Sequence, residues 1–72
     1  MRIIIIGAGE VGAELAAKLS REDNDVTVID KSMAPLDRLA SLDVLTIQGN
    51  GADLETLEAA SIRDTDLLLA EN

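Results

Sequence analysis

Hydrophobic positions along this chain follow two rhythms. Four unbroken aliphatic runs, RIIII (2–6), VTVID (26–30), VLTIQ (44–48) and DLLLA (66–70), alternate with segments in which apolar residues recur every three or four positions. The first run shows no polar alternation, as a strand covered on both faces requires. The second is rich in β-branched residues, which suit a pleated surface. Between them, Val11, Leu15 and Leu19 recur at four-residue steps. That spacing predicts a helix from Glu10 to Ser20 whose apolar face carries those three, with Glu14, Lys18 and Arg21 turned away from it. REDND (21–25) is a polar turn. A second helix is predicted to start at Ser32 or Ala34, with Pro35 tolerated in its first turn and an apolar stripe of Leu36, Leu39 and Ala40. GNGAD (49–53) is a glycine-rich turn whose Asp53 is a helix N-cap candidate, and the helix after it carries Leu54, Leu57 and Ala60. The order βαβαβαβ predicts an α/β fold, a parallel sheet with right-handed crossovers and helices on both faces.

Composition narrows what such a fold can do. Seventy-two residues make one small domain, 1–72. A chain of this length buries only ~60% of the surface its unfolded form exposes. There is no Phe, Tyr or Trp, which removes the stacking platform used for single-stranded nucleic acid, and the net charge of −8 disfavours any phosphate-backbone partner or anionic membrane surface. A small nucleotide is not excluded, because local backbone dipoles can grip it. The chain has no Cys and no His, so thiol chemistry and the commonest neutral-pH acid–base group are missing, and no metal site is expected. The longest apolar runs fall far short of the ~20 residues of a membrane helix. Arg2 and the isoleucines faintly imitate a signal peptide, but Glu10 and Glu14 interrupt it, so a cytoplasmic protein without direct membrane insertion is expected.

The chemistry is carried by GAGEVG (7–12). Alone, G-x-G-x-x-G is a weak signal. Here Gly7, Gly9 and Gly12 stand between a predicted strand and a predicted helix, and Asp30 ends the next strand about 20 residues on, which completes the dinucleotide-binding fingerprint. Gly7 permits the turn, Gly9 lets a pyrophosphate approach the backbone, and Gly12 lets the helix pack closely on the sheet. The helix start offers free N–H groups and partial positive charge to the phosphates. Asp30 can accept from ribose hydroxyls, and its charge disfavours a 2′-phosphate. The plainer reading, a tight βα turn and a solvated strand-end carboxylate, leaves that full context unexplained. Lys31 is either a phosphate contact or a solvated lysine. Glu10 is expected to point away from a ligand, since its charge favours a helix start and opposes a phosphate. In QGNGAD (48–53), Gly49 and Gly51 offer close backbone access and Asn50 and Asp53 polar contacts to an adenosine; the alternative is a helix entry that merely uses turn residues.

With those motifs in hand, MRIIIIGAGEVGAELAAKLS, DVTVIDK and LDVLTIQGNGADLETLEAASIRDTDLLLA together closely resemble the N-terminal domain of TrkA-type proteins, regulatory subunits of Trk potassium-uptake systems within the RCK/KTN family. The resemblance covers essentially the whole chain. It implies a Rossmann-like sheet of order 3-2-1-4, the first part of a doubly wound fold of order 3-2-1-4-5-6, so that this chain is a truncated domain with its fourth strand as an apolar edge. It also implies NAD(H) as ligand, with ATP or ADP as the other candidates and NADP disfavoured, and no chemistry on the ligand. Homo-oligomers and a membrane potassium transporter are the implied partners, with the protein at the cytoplasmic face. Gly7, Ala8, Gly9, Glu10, Val11 and Gly12 would form the phosphate loop, Asp30 and Lys31 would face the ribose, and Gly49, Asn50 and Gly51 would lie near the adenosine. Three departures stand out. Asn24 occupies the helix end where a glycine is usual, and is expected to take the left-handed conformation. Ser61 replaces the glycine of EAGI. Glu71 and Asn72 stand where the family continues with Val-Thr and a polar turn. The alternative function is the cofactor half of an NAD-dependent oxidoreductase; a minimal folding unit that binds little is a third.

Overall fold

Strand β1 (Arg2–Ile6) is the spine of the molecule. In the computed structural model, which describes residues 1–70, it is followed by α1 (Glu10–Arg21), β2 (Asp25–Asp30), α2 (Met33–Asp37), β3 (Val44–Gln48), α3 (Leu54–Ala59), a 3-10 turn (Ile62–Asp64) and β4 (Leu67–Ala70). Glu71 and Asn72 lie outside the described residues. All strand pairs are parallel and the order is β3-β2-β1-β4. Right-handed crossovers produce that order. The connections through α1 and α2 step outward from β1 on one face, and the connection through α3 returns to the other side of β1 on the opposite face. The expected α/β, Rossmann-like topology is therefore present, with helices on both faces.

The isoleucine run fills both layers of core. Ile3 and Ile5 join Val26, Val28, Ala16, Leu36 and Leu39 beneath α1 and α2. Ile4 joins Ile29 and Ala60 on the opposite face, with Leu57 and Ile62 partly buried against them. Ile3, Ile4 and Ile5 are at most 2% exposed, as a strand without polar alternation demands.

The helices depart from the periodicity reading in detail. Val11, expected on the packed face of α1, is 56% exposed; the buried positions are Gly12 and Ala16, with Ala13, Leu15 and Leu19 partly buried beside them. Small residues let the helix axis come close to the sheet, and that rotates Val11 outward. Ala40 and Leu54, expected in apolar stripes, are also exposed, because α2 and α3 are only five and six residues long and each buries a narrow seam. The left-handed residue after α1 is Asp23, with φ 64°, not Asn24. Asn24 closes the helix with its side chain, donating from Nδ2 to the Leu19 carbonyl at 2.9 Å. Ser61 is left-handed, with φ 63°, which explains why a glycine suits that position. Asp53 is the N-cap of α3 as expected, its Oδ1 accepting from the Glu55 N–H at 3.2 Å.

Candidate functional site: a glycine loop at the strand ends

The carboxyl ends of β1, β2 and β3 bring the glycine loop, the Asp30–Lys31 corner and the Gly49–Gly51 turn to one edge of the sheet. This is the edge where open α/β sheets bind ligands. The loop is fixed at its entry. The Gly7 N–H donates to the Ile29 carbonyl at 2.7 Å, and Gly7 takes φ 107°, a conformation that L side chains rarely adopt. Helical bonding begins with the Ala13 N–H to the Gly9 carbonyl at 2.8 Å. Among the described residues, the N–H groups of Gly9, Glu10, Val11 and Gly12 find no acceptor, and Gly9, the N-cap, has no side chain to supply one. Uncapped N–H groups and the positive end of the helix dipole make an anion cradle.

The three glycines of the motif do different things. A Cβ on Gly12 would collide with the carbonyl group of Gly7, so that glycine is required by the approach of helix to loop. A Cβ on Gly9 would meet nothing within 4 Å. Gly9 has φ −68° and ψ −171°, which any residue can adopt. Neither packing nor backbone shape asks for a glycine there. The bare position leaves open space at the start of the helix, where the N–H groups without acceptors lie.

Asp30 faces the loop. Its Oδ1 accepts from the Ser32 N–H and its Oδ2 from the Ala8 N–H, both at 2.8 Å. The Ser32 bond first, then the Ala8 bond, hold its carboxyl below its ordinary 3.8, against a smaller opposing effect of partial burial. Ser32 was read from the sequence as a candidate helix start and not as a partner of Asp30, although Asp-Lys-Ser is a recognisable Asx-type turn, an aspartate accepting from the N–H two residues on. Lys31 is exposed at the same corner, and its carbonyl accepts from Gln48 Nε2 at 3.2 Å. Glu10 is exposed in the first turn of α1.

The second glycine turn is tied to the same edge by the Gly49 N–H, which donates to the Asp30 carbonyl at 2.9 Å. Its glycines have internal explanations. A Cβ on Gly51 would run into the Ile6 side chain, and one on Gly49 would sit 2.9 Å from Thr56 Cγ2 and Oγ1. Asn50 uses Oδ1 to accept from the Ala52 N–H at 2.9 Å, leaving its NH2 group directed at no protein acceptor among the described residues. A groove of about 470 Å³ lies elsewhere, at the amino ends of the strands, lined by Arg2, Asn24, Asp25, Thr27, Leu45 and Ser61 among others. It contains none of the residues of the fingerprint.

Comparison with known proteins agrees with this geometry. The family model described as the TrkA-N domain matches residues 3–71. The chain is 49% identical over 70 residues to a Trk system potassium uptake protein trkA homolog 1 of Methanosarcina mazei, covering 97% of this chain and 17% of that protein. It is 45% identical over 71 residues to the Trk system potassium uptake protein TrkA of Halomonas elongata, and 43% identical over 70 residues to a TrkA homolog of Archaeoglobus fulgidus; each match covers 97% of this chain and 16% of the relative. The chain thus spans about one sixth of the length of these relatives.

Proposed function

Given that the chain belongs to the TrkA-N domain family, we propose that it is the nucleotide-binding regulatory module of a Trk-type potassium-uptake protein, one that senses its ligand without chemistry on it. The ligand is NAD(H), with ATP or ADP as the other adenine nucleotides of the right chemistry. The observation that carries this reading is Gly9, a glycine demanded by nothing inside the protein, standing open before four free N–H groups and opposite Asp30. The pyrophosphate lies over Gly7–Gly12 and the adenosine ribose against Asp30, with Lys31 beside it. The Gly49–Asn50–Gly51 turn borders the adenosine, contributing the free Asn50 amide. Asp30 repels a 2′-phosphate, so NADP is disfavoured.

The potassium side of the proposal rests on the relatives, whose names all carry potassium uptake. They also favour it over the cofactor half of an oxidoreductase. No helix among the described residues is long and apolar enough to cross a membrane; in this proposal, which rests on the relatives' names, the module acts on a transporter partner from the cytoplasmic side. We place its self-association at β4, which pairs only with β1 among the described residues and leaves Leu67 39% and Leu68 46% exposed. Sedimentation at high micromolar concentration then shows dimers or larger species, and Leu68→Lys shifts them toward monomer; a wild-type monomer refutes that interface. Calorimetric titration with NADH, ATP and NADPH tests the site itself. Binding of NADH or ATP with NADPH clearly weaker is expected. A chain that binds none of them, or NADPH as well as NADH, refutes the assignment.

A further inference from the structure

Asp30 serves the ribose in the reading above, but its hydrogen bonds precede any ligand. Oδ2 accepts from the N–H of Ala8, the second residue of the glycine loop, and Oδ1 from the N–H of Ser32, the N-cap of α2. One carboxylate thus joins the β1 loop, the end of β2 and the start of α2. Ala8 is itself 2% exposed, so its N–H has no water to fall back on if Asp30 is removed. Among the described residues the loop is held from the β2 side by two bonds, Gly7 N–H to the Ile29 carbonyl and Ala8 N–H to Asp30, and beyond them run the unbonded N–H groups of Gly9 to Gly12. A bond to an ionised carboxylate is the stronger kind. A carboxylate has about four acceptor positions, so two remain for a ribose diol after both amides are served.

We propose that Asp30 is a positioning residue for the phosphate half of the site as well as a ribose acceptor. It holds the glycine loop in the shape that aims the free N–H groups outward before the ligand arrives. Loss of Asp30 therefore weakens a nucleotide that has no ribose hydroxyls at all. The binding part of this proposal rests on the nucleotide reading; the loop-holding part does not.

Two measurements on the chain separate these parts. Backbone order parameters at Ala8 and Gly9, without ligand, are expected near ~0.85 in the wild type and below ~0.6 in Asp30→Ala. Asp30→Asn, which keeps one acceptor oxygen and the side-chain volume, falls between and serves where the alanine variant folds poorly. Order parameters unchanged in both variants overturn the proposal. ATP and 2′,3′-dideoxy-ATP are then titrated at 0.3 M salt, where screening acts over ~6 Å and limits the simple gain in anion affinity from removing a charge. Both ligands are expected to bind the variants more weakly, dideoxy-ATP by roughly 10-fold, the scale of one charge-assisted hydrogen bond. Dideoxy-ATP binding that is identical in wild type and variants, with ATP alone weakened, confines Asp30 to the ribose and also overturns the proposal. A wild type that binds neither of these nor NADH removes the nucleotide reading, and the order parameters then decide the loop-holding role alone.

Discussion

Gly9 and Gly12 look alike in the sequence and predict opposite phenotypes when replaced by alanine. At Gly12 a Cβ lies 3.1 Å from the Gly7 carbonyl carbon and closer still to its oxygen. Ordinary C–H···O contacts run at ~3.3–3.6 Å, so the start of α1 has to lift by roughly 1 Å. The carbonyl cannot yield easily, because the Gly7 N–H is anchored to Ile29 and Gly7 is held at φ 107°. Overpacking of this kind costs ~1–3 kcal/mol or more, and the better helix propensity of alanine returns at most ~1 kcal/mol. A net loss of about 1–2 kcal/mol lowers a urea midpoint by roughly 1–2 M at an m-value near 1 kcal/mol/M. At Gly9 the Cβ meets nothing. Reduced unfolded-state freedom gains ~0.4–1 kcal/mol, and alanine as a poorer N-cap loses a similar amount, so stability stays within about 0.5 kcal/mol. In the proposed site the same methyl group stands where the phosphates approach, and NADH binding is expected to be lost. With no aromatic residue in the chain, unfolding is followed by far-UV circular dichroism and binding by calorimetry. Gly9→Ala that unfolds as early as Gly12→Ala, or that binds NADH like the wild type, refutes the division of labour between the two glycines.

Ser61→Gly removes a left-handed side chain whose hydroxyl caps nothing; thermal unfolding by circular dichroism should show a gain of ~0.5–1 kcal/mol after the greater flexibility of unfolded glycine is subtracted. Asp30 has a folded pKa below its ordinary value, so its contribution to stability is present above about pH 4 and is lost as the pH falls through the folded pKa. The stability gap between wild type and Asp30→Asn in urea titrations is therefore expected to close as the pH falls below about 4, and a gap independent of pH contradicts the assignment.

The strands and their parallel pairing were legible because each has a local cause. Isoleucines without polar alternation make a doubly covered strand, and alternation of strands with helices makes the sheet parallel; crossover handedness does not choose the edge at which the fourth strand joins, so the order 3-2-1-4 came from the family resemblance. Helix faces were less legible. Reading Val11, Leu15 and Leu19 as the packed stripe weights side-chain size, whereas the structure packs α1 through its smallest residues, Gly12 and Ala16. Closeness of approach decided the rotation, and that depends on the Gly7 carbonyl, which no periodicity encodes. The left-handed turn after α1 was placed one residue late because Asn24 was credited with a backbone role that Asp23 performs, while Asn24 caps with its side chain.

The glycines show where sequence reasoning stops. Gly9, Gly49 and Gly51 all suggested backbone laid bare for a ligand. Internal neighbours account for Gly49 and Gly51, namely Thr56 and Ile6, and only Gly9 opens on empty space. A motif therefore locates a site without saying which of its positions the ligand uses. The charge balance sharpens the point. A chain of net charge −8 has no general attraction for a polyphosphate, so the attraction has to be local and directional. In the proposed site four N–H groups with no protein acceptor among the described residues supply it. The acidic group closest to them in function, Asp30, is tolerable there because two amide donors already engage its charge. In the proposed site the same carboxylate holds the loop and repels a 2′-phosphate, so selectivity and loop geometry are both expected to be lost when Asp30 is removed.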